Sequence, residues 1–153
     1  HHWHKCLNGD CQEKSNEGEH VIVKSVKEAI CEEDGKIIAP IGRDKYNRQK
    51  MAVDVKNGKP AVTHFHVLKR FNQYTLISCV LETGRTHQIR VHMAYIGHPL
   101  VGDWLYGTED HNIAKRQMLH SCYLCFTHPI TGQIMEFKDE MAEDMRAFIE
   151  KLS

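Results

Sequence analysis

Alternating apolar and polar positions dominate the middle of the chain. Residues 61–71 set Val62, His64, His66 and Leu68 against Ala61, Thr63, Phe65 and Val67, a period of two that predicts a strand. Residues 51–55 read as a shorter strand before it. Asn57-Gly58-Lys59-Pro60 lies between them, and Asn-Gly is the favoured two-residue hairpin loop, so a hairpin is expected there. After Asn72-Gln73, residues 74–82 set Leu76, Ser78 and Val80 against Thr75, Ile77, Cys79 and Leu81. Apolar groups on both faces predict a central strand covered on two sides.

The period then changes. Ile89, Met93 and Ile96 recur at helical spacing, which predicts a helix over residues 87–96. Thr86 is the expected N-cap, Gly97 the expected residue past the C-terminus, and Pro99 prevents continuation. Residues 119–127 and 133–138 flank Pro129-Ile130-Thr131-Gly132 and read as a hairpin. Met141, Met145, Phe148, Ile149 and Leu152 share one face of a terminal amphipathic helix. Upstream, Ile37-Ile38-Ala39-Pro40-Ile41-Gly42 reads as a short strand, and residues 21–30 fit either a strand or a short helix. Residues 1–20 show no period. The expected architecture is α+β, a mostly antiparallel mixed sheet with flanking helices. Its expected division is a loosely structured N-terminal arm, 1–34, and one folded unit, 35–153.

A length of 153 residues suits a single core. No stretch reaches the roughly 18 consecutive apolar residues of a membrane helix. The N-terminus carries no secretory pattern, which predicts a cytoplasmic protein with its six cysteines reduced. Cys122 and Cys125 have zinc-ligand spacing, but residues three apart in one strand point to opposite faces, so buried thiols are expected. The formal charge is zero yet unevenly spread. Residues 43–70 hold eight basic side chains against Asp44 and Asp54, a net +6. Such a segment is a candidate anion-binding face, or else a solvated Lys-rich hairpin.

The chemistry concentrates at Leu81-Glu82-Thr83-Gly84-Arg85-Thr86-His87-Gln88-Ile89-Arg90-Val91-His92. A strand feeds through a Gly turn into a helix whose start carries Arg85 and Arg90. Free N–H groups and the helix dipole favour an anion there, and two Args add to that. No nucleophile elbow, phosphate loop or dinucleotide fingerprint is present. The residues by themselves leave a nucleic-acid-binding module without catalysis and a small metal protein using His1, His2, His4, Cys6 and Cys11 side by side.

That stretch, with Ile96-Gly97-His98-Pro99-Leu100-Val101-Gly102-Asp103 and Leu105-Tyr106-Gly107, resembles the C-terminal signature of the Rlu-type pseudouridine synthases. Ala39-Pro40-Ile41-Gly42-Arg43, Arg48-Gln49-Lys50-Met51-Ala52-Val53 and Gly58-Lys59-Pro60-Ala61-Val62-Thr63 fall in the same order as in that family. So do Leu119-His120-Ser121 and Phe126-Thr127-His128-Pro129-Ile130-Thr131-Gly132. The resemblance covers residues 35–153. It implies isomerisation of uridine to pseudouridine in ribosomal or transfer RNA, with the base leaving its stack and no cofactor or metal.

By the same resemblance, Arg90 would pair with the family's single catalytic Asp and hold it ionised. Arg43, Arg48, Lys50, Arg85, His87 and Gln88 would face RNA, and Tyr106 would be structural. None of the eight Asp residues follows a Leu, and Thr-Ser-Gly is absent. The chain thus resembles the C-terminal part of a catalytic domain, an incomplete pseudouridine synthase fold without the catalytic Asp motif. An incomplete sheet is expected to leave an edge and an apolar face open to self-association.

Overall fold

A computed structural model describes residues 19–24, 33–107 and 113–153. Its main sheet has five strands: β1 (Glu19–Lys24), β2 (Asp34–Ile38), β5 (Val62–Arg70), β6 (Tyr74–Leu81) and β7 (Leu119–Ser121), in the order β2-β5-β6-β1-β7. Every pairing is antiparallel. The α+β expectation holds, with helices on both faces.

The strand reading of residues 21–30 holds over Val21–Lys24. β1 is an inner strand between β6 and β7, so the loose-arm description fails for residues 19–24. Residues 1–18 and 25–32 lie outside the described residues, and with them the His and Cys residues of the alternative metal-protein reading. Alternation along β1 explains its place. Val21 and Val23 enter a core with Ile37, Phe65, Val67, Ile77 and Cys79 under α1 (Gln88–Tyr95), where Ile89 and Met93 close the layer. Ile22 and Leu76 face the other way, against Met145, with Phe148 and Ile149 of α2 (Glu143–Leu152) packed alongside. The Tyr74 and Phe148 rings meet edge to face at 5.5 Å. The central-strand reading of 74–82 is therefore correct, and its cause is burial on both sides.

The hairpin expected at Asn57-Gly58 does not form. β4 (Met51–Val53) pairs with β3 (Ile41–Arg43), while β5 pairs with β2 and β6. The Asn-Gly turn instead folds onto Asp54, whose carbonyl accepts from Gly58 N–H, and returns Lys59 to Ile41 through two 2.9 Å backbone bonds. A turn signal fixes where the chain reverses, not which strand it meets.

Cys122 falls between β7 and β8 (Tyr123–Thr127), where the chain leaves the main sheet to pair with β9 (Ile134–Lys138). Cys79 and Cys122 are buried thiols. Cys125 is disulfide-bonded, so the reduced-thiol expectation fails there. No helix among the described residues is long and apolar enough to cross a membrane.

Candidate functional site

The loop after α1 is anchored before it does anything else. Val101 N–H donates to Ile22 O on β1, and Met118 N–H donates to Val101 O. This fixes Asp103 beneath the first turn of α1, where Arg90 meets it. Arg90 Nε donates to Asp103 Oδ2 at 2.7 Å and Nη2 to Oδ1 at 2.9 Å. The two side chains are 12% and 0% exposed, so the pair is desolvated. Asp103 Oδ1 also accepts from the backbone N–H of Leu105 and Tyr106, which curls the loop around the carboxylate. The bond to Asp103 holds the Arg90 guanidinium charged beyond its already high ordinary range.

Tyr106 completes the cluster. Its ring lies 4.9 Å from the Arg90 guanidinium carbon. Its hydroxyl accepts from Met51 N–H at 2.8 Å and lies 2.7 Å from His87 Nδ1. Burial raises the phenol above its usual value, so it keeps its proton at neutral pH. Burial, then the Arg90 charge, lowers His87. The neutral arrangement that uses the phenolic hydrogen has Tyr106 donating to Nδ1, leaving Nε2–H of His87 as a donor. His87 is also the N-cap of α1 at φ 56, the single non-Gly residue with positive φ among the described residues. Side chains held in this region occur at sites where surrounding structure fixes them. Thr86, the expected cap, is displaced by one residue, and no side chain caps the helix. The stop signal was read correctly: Gly97 sits at φ 87, and His98 N–H closes back on Met93 O.

The expected anion at this helix start is present, and it belongs to the chain itself. Arg90, expected to pair with a catalytic Asp absent from the sequence, is held by Asp103 of the loop after α1. Its Nη1 makes no hydrogen bond among the described residues.

Gln88 is corrected. It is 3% exposed and uses its full hydrogen-bonding capacity internally. Oε1 accepts from Thr83 Oγ1 and Arg85 N–H, while Nε2 donates to Val62 O and Thr63 Oγ1. It clamps the turn before α1 to β5 and has nothing left for RNA. The clamp continues inward. Thr63 Oγ1 donates to His92 Nδ1 at 2.7 Å, and His92 Nε2–H donates to Ala39 O at 2.8 Å. A carbonyl only accepts, so Nε2 carries a hydrogen, and in the neutral ring Nδ1 is then the acceptor for Thr63.

Burial lowers the His92 pKa below its usual value. The unfolded chain therefore binds that proton more readily than the folded one. Stability from this group is complete above about pH 6.5 and is lost as pH falls through the folded value. Burial lowers His87 and His98 in the same direction. The urea midpoint is expected to drop between pH 7 and pH 5, before the carboxylates titrate, and His92→Gln should shallow that drop. A midpoint flat across this window would contradict the neutral buried imidazole.

Arg43 and Arg48 are exposed on the β3–β4 hairpin, and Lys50 is half-buried beside Met51. Arg85 is half-buried with Nε on Pro60 O at 2.9 Å. Four bonds join the elements that carry these groups to the Arg90 cluster: two between Lys59 and Ile41, one from Arg85 to Pro60, and one from Met51 to Tyr106. They tie the hairpin bearing Arg43, Arg48 and Lys50 to the turn and helix start bearing Arg85 and His87. Sequence reasoning missed Asp103 and Tyr106 as members of the site; their adjacency in Asp103-Trp104-Leu105-Tyr106 was the available signal.

Comparison with known proteins places the chain. The model of the RNA pseudouridylate synthase family matches residues 8–95, more than half of the sequence, and the chain belongs to that family. It is 56% identical over 123 residues to the uncharacterized RNA pseudouridine synthase YlyB of Bacillus subtilis, covering 80% of this chain and 40% of that protein. It is 49% identical over 129 residues to ribosomal large subunit pseudouridine synthase D of Nitrosomonas europaea, covering 79% and 37%. The fold matches human RNA pseudouridylate synthase domain containing 1 with a TM-score of 0.68 at 24% identity, over 88% of this chain and 64% of that one. The chain spans about two fifths of the length of the first of these relatives.

Proposed function

We propose that this chain is the C-terminal part of the catalytic domain of an RNA pseudouridine synthase, a part that takes in β1 together with residues 35–153. The observation that carries the reading is the Arg90–Asp103–Tyr106–His87 cluster, continuous with a basic hairpin. Arg90 is charged, fixed in orientation, and has Nη1 available for a second acceptor. A catalytic carboxylate supplied by an upstream segment would be held ionised there by charge and hydrogen bonding. Neutral His87 would offer Nε2–H to the RNA, and Arg43, Arg48, Lys50 and Arg85 would neutralise phosphates. Ribosomal RNA is the proposed substrate, as the names of the relatives indicate for those proteins. A cytoplasmic location belongs to the same proposal.

The chain alone is expected to bind unmodified ribosomal RNA without releasing tritium from uridine C5. Binding should weaken steeply with salt, because each neutralised phosphate adds about 0.7 to the slope of log K against log salt on single strands. Tritium release would overturn the missing-carboxylate reading, and salt-independent affinity would overturn the phosphate contacts. A second reading, an RNA-binding module without catalysis, is favoured by one observation: Arg90 already has a carboxylate partner in Asp103. Adding the upstream coding sequence separates the two, since only the first gains tritium release.

Open apolar surface supports the proposed self-association. Ile38 on edge strand β2 is 69% exposed, and Leu124, Ile134 and Phe137 are about half exposed on the β8–β9 hairpin. Sedimentation should show mass rising with concentration; a monomer at every concentration would end that proposal.

A further inference from the structure

The cations of this protein divide into two groups. Lys36, Arg70, Arg90, Arg116, Lys138 and Arg146 each have a carboxylate within 4.0 Å. Ten others have none within that distance among the described residues; Lys69, Arg85, Lys115 and Lys151 are scattered, but Arg43, Lys45, Arg48, Lys50, Lys56 and Lys59 lie together on the β3–β4 hairpin and the turn that follows. The acidic residues among them do not compensate. Asp44 Oδ1 accepts from the N–H groups of Tyr46 and Asn47, and Asp54 Oδ1 from those of Lys56 and Asn57. Both carboxylates shape turns, and they offset only part of the surrounding positive charge, Asp44 attracting Lys50 and Asp54 attracting Lys45 and Lys56.

Those turns hold an aromatic ring in water. Tyr46 is 97% exposed, more than any other large apolar side chain described. Its backbone is nonetheless fastened on both sides, by Asp44 as above and by the Asp44–Lys50 and Lys50–Asn47 backbone bonds. A single exposed aromatic is ordinary on a protein surface. This one stands at the wall of a cleft of about 250 Å³ whose lining includes Arg43, Lys45 and Lys56, the carboxylates Asp44 and Asp54, and Val55, so the cations exceed the carboxylates by one. Val55, on the lining of the same cleft, is 81% exposed, so the cleft offers apolar as well as charged surface. Aromatic faces interleaved with basic groups match a nucleotide that presents a free base face and two phosphates.

We propose that the cleft on the β3–β4 hairpin is a subsite for one unpaired RNA nucleotide, its base stacked on Tyr46 and its phosphates neutralised by Arg43, Lys45 and Lys56. This rests on the RNA-interface reading above and adds to it a preference for single-stranded over duplex RNA, because a paired base inside a helix has no free face. The ring is solvent-exposed and makes no internal contact, so its replacement leaves the fold intact.

The test measures Kd for a labelled single-stranded oligoribonucleotide and for its duplex, at two salt concentrations, with the full chain. Tyr46→Ala is expected to weaken single-strand binding about 5- to 150-fold, the effect of losing one base–aromatic stack. Its duplex affinity and salt slope should stay at the unaltered values, because no phosphate contact is removed. Tyr46→Phe should restore single-strand affinity. Unchanged single-strand binding by Tyr46→Ala, with salt sensitivity intact, overturns the subsite and leaves the interface standing. Equal losses on single strand and duplex, or no rescue by Tyr46→Phe, overturn stacking as the cause. No salt-sensitive binding by the unaltered chain removes the interface and the subsite together.

Discussion

Asp103→Asn is expected to lower the unfolding free energy by about 3–5 kcal/mol, the range for removing one partner of a buried ion pair. The side chain is nearly the same size, so packing hardly changes. What changes is charge. Arg90, 12% exposed, is left beside a neutral amide in a site that excludes water. The amide keeps one acceptor oxygen, which at the Oδ1 position still takes the N–H groups of Leu105 and Tyr106, but its NH2 then stands against Arg90 Nε–H, donor against donor. The double replacement Arg90→Met with Asp103→Leu should recover much of the loss, because no charge is then stranded. Urea unfolding followed by tryptophan fluorescence would report both, since Trp104 adjoins the site. A loss below about 1 kcal/mol for Asp103→Asn, the level of an exposed surface pair, would show that the pair is solvated.

Gly102→Ala should be nearly as damaging, for a different reason. Gly102 has φ 76, a conformation that L side chains rarely adopt. A Cβ there would lie 2.0 Å from Arg116 O and 2.8 Å from its carbonyl carbon. Backbone strain of about 1–3 kcal/mol adds to the displacement of a neighbouring backbone segment, giving an expected loss of about 3 kcal/mol or more. Neither side can yield cheaply. Val101 is bonded to β1 and Met118, and the Arg116 side chain is held by Asp144 through bonds of 2.7 and 2.6 Å. The same unfolding measurement checks it, and Gly84→Ala, where a Cβ would meet nothing within 4 Å, serves as the control. Equal stability of the two variants would contradict the close approach.

Several parts of this architecture were readable along the chain. β6 showed itself as a central strand because burial on both faces leaves no polar side. α1 was bounded at its end by Gly97, whose positive φ is a local property of one residue type. The β8–β9 hairpin and α2 followed from turn residues and a single apolar face. In each case the signal and its cause lie within a few residues of each other.

The site was less legible. Arg85, His87, Gln88 and Arg90 sit within six residues and look alike as polar groups at a helix start. Their roles separate only by what they meet. Gln88 is consumed by Val62 and Thr63, 26 and 25 residues earlier in the chain. Arg90 turns to Asp103, and His87 to Tyr106, 19 residues later. The Asn57-Gly58 turn was visible, but its pairing with β3 was not. The strand status of residues 19–24 was undecided because their apolar run fits a buried strand or helix equally well.

The sequence by itself therefore determined the family, the α+β class, the main strands and helices, and the segment that carries the chemistry. These depend on composition, period and motif order, which are properties of the chain read in one dimension. The tertiary structure decided which polar groups are spent and which remain. Gln88 and Asp103 became structural, while Arg90 Nη1, His87 Nε2–H and the unpaired cations around Tyr46 were left facing outward. A polar side chain has a role only once its partners are fixed, and those partners arrive from distant parts of the chain.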